Sequence, residues 1–115
     1  MKQYEGRRLN GVLLVTIDGK ALDPRFDLRN HCLTGFDWGY GGSGPAQLAL
    51  ALLADCLEDD QKALSFHQAF KWIVVAELPH NGWVLTEDQI HQAVQVCRLR
   101  KGLYRQPLFM TQLKS

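Results

Sequence analysis

The sequence lacks any apolar stretch of the roughly 18 residues needed to cross a bilayer. Its most apolar segment, Ala46 to Leu57, is shorter and is interrupted by Gln47 and Asp55. The opening MKQYEGRRLNG has no apolar core of the kind a secretory signal carries. The three cysteines, Cys32, Cys56 and Cys97, are odd in number and widely spaced. They make no disulfide framework, and a reducing cytoplasm is the expected location, with no membrane partner. Neither the cysteines nor His31, His67, His80 and His91 show C-x-x-C, H-x-x-x-H or H-E-x-x-H spacing. Structural metal sites show paired ligands at short spacing, so no metal and no cofactor are expected. Net charge is also nearly absent, at +1. That balance excludes a global pull toward nucleic acid or acidic membranes, and it excludes an acidic mimic of DNA. No G-x-S-x-G elbow occurs. Glu58, Asp59 and Asp60 fall together in a turn, where acids favour the start of the next helix. The single nominated nucleophile and base are Ser43 and His31, so the reading leans away from an enzyme and names no catalytic residue.

What is present is an ordinary globular composition, 46% hydrophobic and 22% charged over 115 residues. One domain with one core is expected over 1–115. Residues 1–22 read as a β-meander of about three strands, because Asn10-Gly11 and Asp18-Gly19 are hairpin dipeptides. Val12 to Val15 does not alternate, which predicts a strand covered on both faces. Residues 23–44 form a long aromatic and glycine-rich connection holding Phe26, Phe36, Trp38 and Tyr40. Its aromatics should pin it, since long irregular connections in compact domains are usually functional. Helices are predicted over 45–100. The first begins at Pro45, capped by Ser43 or Gly44. It is apolar on nearly every face and therefore central. The second runs from about Asp60 to Leu78, with Ala63, Phe66, Phe70, Val74 and Leu78 on one stripe. The third starts at Thr86, where Thr86 and Gln89 fit a capping box. The fold class is α+β, an antiparallel meander packed on about three helices. The expected core is Val12, Leu14, Ile17, Leu48, Leu52, Phe66, Phe70, Val74, Ile90 and Val94.

The segment Gly39-Tyr-Gly-Gly-Ser-Gly44 matches G-x-G-x-x-G and opens a helix. A dinucleotide fingerprint also needs a preceding strand in a βαβ unit, and a P-loop needs Lys-Ser/Thr after its last glycine. Both are missing. Two readings of this region stay open. In the first, Trp38, Tyr40, Arg25 and Arg29 form a contact patch for a macromolecular partner, since Trp, Tyr and Arg dominate hot spots. An exposed aromatic loop also suits a homodimer. In the second, Gly41, Gly42, Ser43 and Gln47 line a nucleotide or phosphate pocket at the first helix, with Arg25 or Arg29 balancing the charge. The segment 101–115 is a basic tail that continues from Arg98 and Arg100 and contains no acid. It reads as a solvated helix end, with nucleic acid the less favoured partner.

The stretches DPRFDLRNH, TGFDWGYGGSGPAQLALALLAD, FKW and GWVLT together resemble a family of small uncharacterised prokaryotic and viral proteins. The mark of that family is a W-G-Y-G-G-S-G-P-A-Q-L-A-x-A-L-L segment, and the resemblance covers about residues 2–90. It implies no activity, cofactor or site residue. It does imply a setting in phages and plasmids, with inhibition of a host system as the expected role. The leading expectation is thus a non-enzymatic binding protein acting on a macromolecular partner.

Overall fold

Two tight turns organise the sheet. At Asn10-Gly11 and Asp18-Gly19 both residues of each turn have positive φ, 51° with 80° and 49° with 84°. This is the turn geometry whose twist matches the flanking strands. The turns join β1 (Gln3–Leu9), β2 (Val12–Ile17) and β3 (Lys20–Ala21) in an antiparallel meander. The computed structural model describes residues 1–103, with side chains through Leu99. The basic residues Arg100, Lys101, Arg105 and Lys114, expected to form the tail, therefore lie outside the described side chains, as do Tyr104, Leu108 and Phe109.

The sheet has a fourth strand that the sequence reading assigned to the helical half. β4 (Gly82–Thr86) pairs antiparallel with the far side of β1, giving the order β3-β2-β1-β4. Gly6 lies opposite Trp83, and a Cβ at Gly6 would run into the indole of Trp83. The absent side chain is what lets that ring lie flat on the inner face. Tyr4, Val15 and Trp83 are buried there. The phase of β2 corrects the expected core: Val12 and Leu14 are exposed, whereas Leu13, Val15 and Ile17 point inward. The two-residue turn sets this phase by pairing Leu9 with Val12 and Gly6 with Val15. The strand is covered on one face, not on both.

Helix α1 (Ser43–Leu57) is buried at every position except Ser43, Asp55 and Leu57. Gly42 occupies its N-cap in extended conformation, and no side chain caps it. Ser43 is thus the first helical residue rather than the cap. Pro45 is third, still among the positions whose N–H has no intrahelical acceptor. Helix α2 (Asp60–Ile73) is capped by Asp59, which accepts from Lys62 N at 3.0 Å. It ends five residues earlier than its apolar stripe suggests, because a 3-10 turn, Val75–Glu77, takes over. Helix α3 (Glu87–Leu103) begins on the expected capping box. Thr86 N donates to Gln89 Oε1 at 2.9 Å, and Gln89 N donates to Thr86 Oγ1 at 3.2 Å. The sheet's inner face lies against α1, and the Tyr4 hydroxyl crosses to donate to Asp55 Oδ2 at 2.6 Å. Lys2 and Glu87 tie the start of β1 to the start of α3 through two backbone-anchored bonds. Among the described residues no helix is long and apolar enough to cross a membrane.

Candidate functional site

The connection between β3 and α1 is irregular, yet polar groups anchor it. Gln47 on α1 is fully buried. Its Oε1 accepts from His31 N at 2.7 Å and Cys32 N at 3.3 Å. Its Nε2 donates to Pro24 O at 2.7 Å and Arg29 O at 3.0 Å. Those four bonds use the full capacity of the amide. Gln47 therefore holds the connection and offers nothing further to a ligand in this arrangement.

The second anchor is Trp38, only 1% exposed. Its ring meets Trp83 edge to face at 5.5 Å, and its Nε1 donates to His80 O at 3.1 Å. The Arg8 guanidinium lies over the same ring at 5.1 Å and also donates to His80 O, at 2.8 Å. Asp37 completes the cluster. It pairs with Arg8 at 3.4 Å and accepts from Trp38 N at 2.8 Å and from the Tyr40 hydroxyl at 3.1 Å. Beside these groups a cleft of about 230 Å³ is lined by Arg8, Asp37, Trp38, Gly39, Tyr40, Leu78 and His80. Gly39 takes φ 88° and donates to Val75 O, fastening the connection to the 3-10 turn that follows α2.

Beyond the cleft the chain presents a shelf. Tyr40 is 51% exposed and its ring covers Gly42. Trp72 of α2 is 53% exposed and its ring covers Gly41. A Cβ at either glycine would displace the ring above it. The glycines thus act as floor for two half-exposed aromatics. No local pattern in the sequence marked Trp72, Arg8, Asp37 or His80 as belonging here. The signal available for Trp72 was a tryptophan next to Lys71 on the polar side of an amphipathic helix.

The other nominated residues divide. Tyr40, Gly41, Gly42 and Ser43 stand together at the start of α1, with Trp38 beneath. Arg25 lies elsewhere. It sits in a left-handed turn and pairs with Asp27 and Asp60, each at 3.0 Å, beside the start of α2. Arg29 is exposed; its carbonyl accepts from Gln47 Nε2 and its N–H donates to Arg25 O at 3.4 Å. Ser43 is exposed and lies by Cys32, whose thiol is drawn below its usual pKa chiefly by the Thr34 hydroxyl. The imidazole of His31 does not turn to Ser43; its Nε2 meets His67 Nε2 at 2.9 Å. Cys56, in the core, has its thiol pushed up to about 11 by burial. Among the described residues no group of three or more His, Cys, Asp or Glu could hold a metal ion.

The histidine pair has a direct consequence for stability. Burial depresses both pKa values below the ordinary 6.5. Below that value the unfolded chain binds protons that the folded chain resists, so stability present above pH 6.5 is lost as the pH falls through it. The urea midpoint should drop between about pH 7.5 and pH 5.5. The drop should be smaller in a His31→Gln, His67→Gln double variant. An equal drop in both proteins would assign the effect to other groups.

No curated protein and no solved structure matches the chain. A match to a family described as of unknown function spans residues 4–96, from the first inward residue of β1 into α3. It takes in the connection, the cleft and the aromatic shelf together. The chain belongs to that family of unknown function, DUF6166.

Proposed function

We propose that the protein binds a macromolecular partner, a protein in the first instance, through the shelf of Tyr40 and Trp72. The observation that carries this is the half-exposure of two large aromatics fixed on glycine backbone. Aromatics supply most binding energy when they are rigid before contact, because less side-chain entropy is then lost. The Tyr40 hydroxyl is already held by Asp37, and the Lys71 ammonium lies over the Trp72 ring at 4.5 Å. Arg8 and His80 give the neighbouring cleft a polar edge.

A nucleotide or phosphate at the start of α1 draws less support from this geometry. Gln47 is fully engaged, Arg25 is paired elsewhere, and Asp37 fills the space beside Gly44, its Cβ 2.7 Å from where a Gly44 Cβ would stand. The resemblance to phage and plasmid proteins extends the main reading to a partner in a host system that the protein inhibits.

The test is capture from a bacterial host with tagged full-length protein, repeated with Tyr40→Ala and Trp72→Ala. Truncating a hot-spot aromatic costs at least about 2 kcal/mol, roughly thirtyfold in affinity. A partner held by the parent protein and by Glu5→Gln, but lost from both aromatic variants, supports the reading. Retention by both folded aromatic variants overturns it, and self-association lost in the same two variants replaces it with a homodimer.

A further inference from the structure

We propose that the free edge of β4 pairs antiparallel with β4 of a second copy of this chain, across a two-fold axis at Val84. The two four-stranded sheets then run together as one. The contact is separate from the shelf of Tyr40 and Trp72 and does not rest on it.

The ladder decides which backbone groups are spare. β4 ends the order β3-β2-β1-β4, so β1 alone pairs with it. Glu87 N donates to Lys2 O at 3.0 Å, and further along Leu85 lies opposite Tyr4 and Trp83 opposite Gly6. Bonding alternates along an antiparallel pair. Leu85 and Trp83 therefore spend their backbone groups on β1, and those of Gly82, Val84 and Thr86 point away from it. The other side of β1 agrees, since Gln3 O, opposite Thr86 in register, accepts from Asp18 N instead. Thr86 N is taken by Gln89. The N–H and C=O of Gly82 and Val84 find no hydrogen-bond partner among the described residues.

Sheet edges are usually blunted, because spare N–H and C=O groups recruit other strands. The opposite edge follows that rule: β3 is two residues long and carries Lys20. β4 does not. Gly82–Thr86 reads GWVLT, with no charge and no proline, and Val84 is 50% exposed.

A second copy is the occupant that suits this edge. Under a two-fold axis the Val84 N–H of each copy donates to the Val84 carbonyl of the other, and both bonds are identical. Gly82 of each copy then lies opposite Thr86 of the other, where its N–H meets the Thr86 carbonyl. Charge agrees with the same register. The acidic first turn of α3, Glu87 and Asp88, follows Thr86, and Arg7 stands beside Gly82 on β1. The axis sets each acidic turn toward the Arg7 side of the other copy. Arg7 pairs with Glu5 through Nε at 3.3 Å, which leaves its terminal nitrogens for that turn. Glu5, beside Val84, has two strands between it and its counterpart. A net charge of +1 opposes association only weakly.

The test is sedimentation velocity of the full-length protein from about 10 µM to about 1 mM, where a short edge should carry the mean mass from one chain toward two. Amide exchange by NMR should slow with concentration at Gly82 and Val84, and not at Ala21 on the opposite edge. Val84→Pro removes the edge donor and keeps the bonds to β1, because proline is tolerated where its nitrogen faces away from the ladder. It loses both reciprocal bonds and should weaken self-association at least about tenfold. Val84→Lys sets like charges opposite each other across the axis and should also weaken it, with the sheet intact by circular dichroism. Tyr40→Ala and Leu14→Gln should associate like the parent. A one-chain mass at about 1 mM, Val84 exchange that ignores concentration, or association that survives in the folded Val84 variants would overturn the proposal. Association lost with Leu14→Gln instead would move the contact to the outer face of the sheet and overturn it equally.

Discussion

Replacing Trp38 by alanine is expected to cost about 3–5 kcal/mol of folding stability, the range for removing a buried tryptophan. The indole does three jobs at once: it packs on Trp83, carries the Arg8 guanidinium and donates to His80 O. Its loss leaves a void between the sheet and the connection that neither neighbour can fill without leaving its own partners. A domain of this size has only about 5–15 kcal/mol in total. The variant should therefore unfold at a much lower urea concentration, followed by far-ultraviolet circular dichroism. Trp38→Phe keeps a ring for Arg8 and Trp83 and should lose less. A loss below about 1 kcal/mol in Trp38→Ala would show that the connection is held by other means. The same measurement separates the residue's two expected roles. At 1% exposure Trp38 supports the shelf from beneath, and contact falls to Tyr40 and Trp72.

The features legible in the sequence were those written in local chemistry. Asn10-Gly11 and Asp18-Gly19 specify turns by themselves, and Thr86 with Gln89 specifies a helix start within four residues. An alanine-leucine segment apolar on every side has to be central, and α1 is. What escaped was written in distant pairing. β4 is five residues whose reason to be a strand lies in β1, at the opposite end of the chain. Its complement is a missing side chain, that of Gly6, which carries no pattern of its own. The run Val12-Leu-Leu-Val15 is apolar at both phases, so hairpin register rather than composition decides which pair is buried. The site divided the same way. Tyr40 and the glycines were visible because they are contiguous, whereas Trp72, Arg8 and His80 arrive from three other segments. The connection's aromatic content suggested that its rings would pin it. Trp38 does so, but Phe26 and Tyr40 remain exposed, and an amide supplies the rest.

That amide carries the other large expected effect. Gln47→Ala strands two half-buried N–H groups and two carbonyls, those of His31, Cys32, Pro24 and Arg29. Each unsatisfied group costs about 1–3 kcal/mol where water does not reach it. Part of the connection can turn toward solvent to recover bonds, so a total loss of about 3–4 kcal/mol is expected, read as a fall in urea midpoint. Gln47→Glu is the sharper variant because it preserves shape. A glutamate accepts from the His31 and Cys32 amides as before, but ionised it cannot donate to the Pro24 and Arg29 carbonyls. Burial against two carbonyl oxygens raises its folded pKa above the unfolded value. Stability relative to the parent protein should therefore recover as the pH falls and the acid regains a donor. This trend opposes the acid-side loss caused by the histidine pair, so the two variants are compared with the parent at each pH. A Gln47→Glu protein equal to the parent at pH 7, or a Gln47→Ala protein less than about 1 kcal/mol weaker, would remove the amide from its role. If instead both fall as expected, α1 organises the site through one polar side chain. The position of His31 against His67 then depends on the Gln47 amide that holds the His31 backbone N–H.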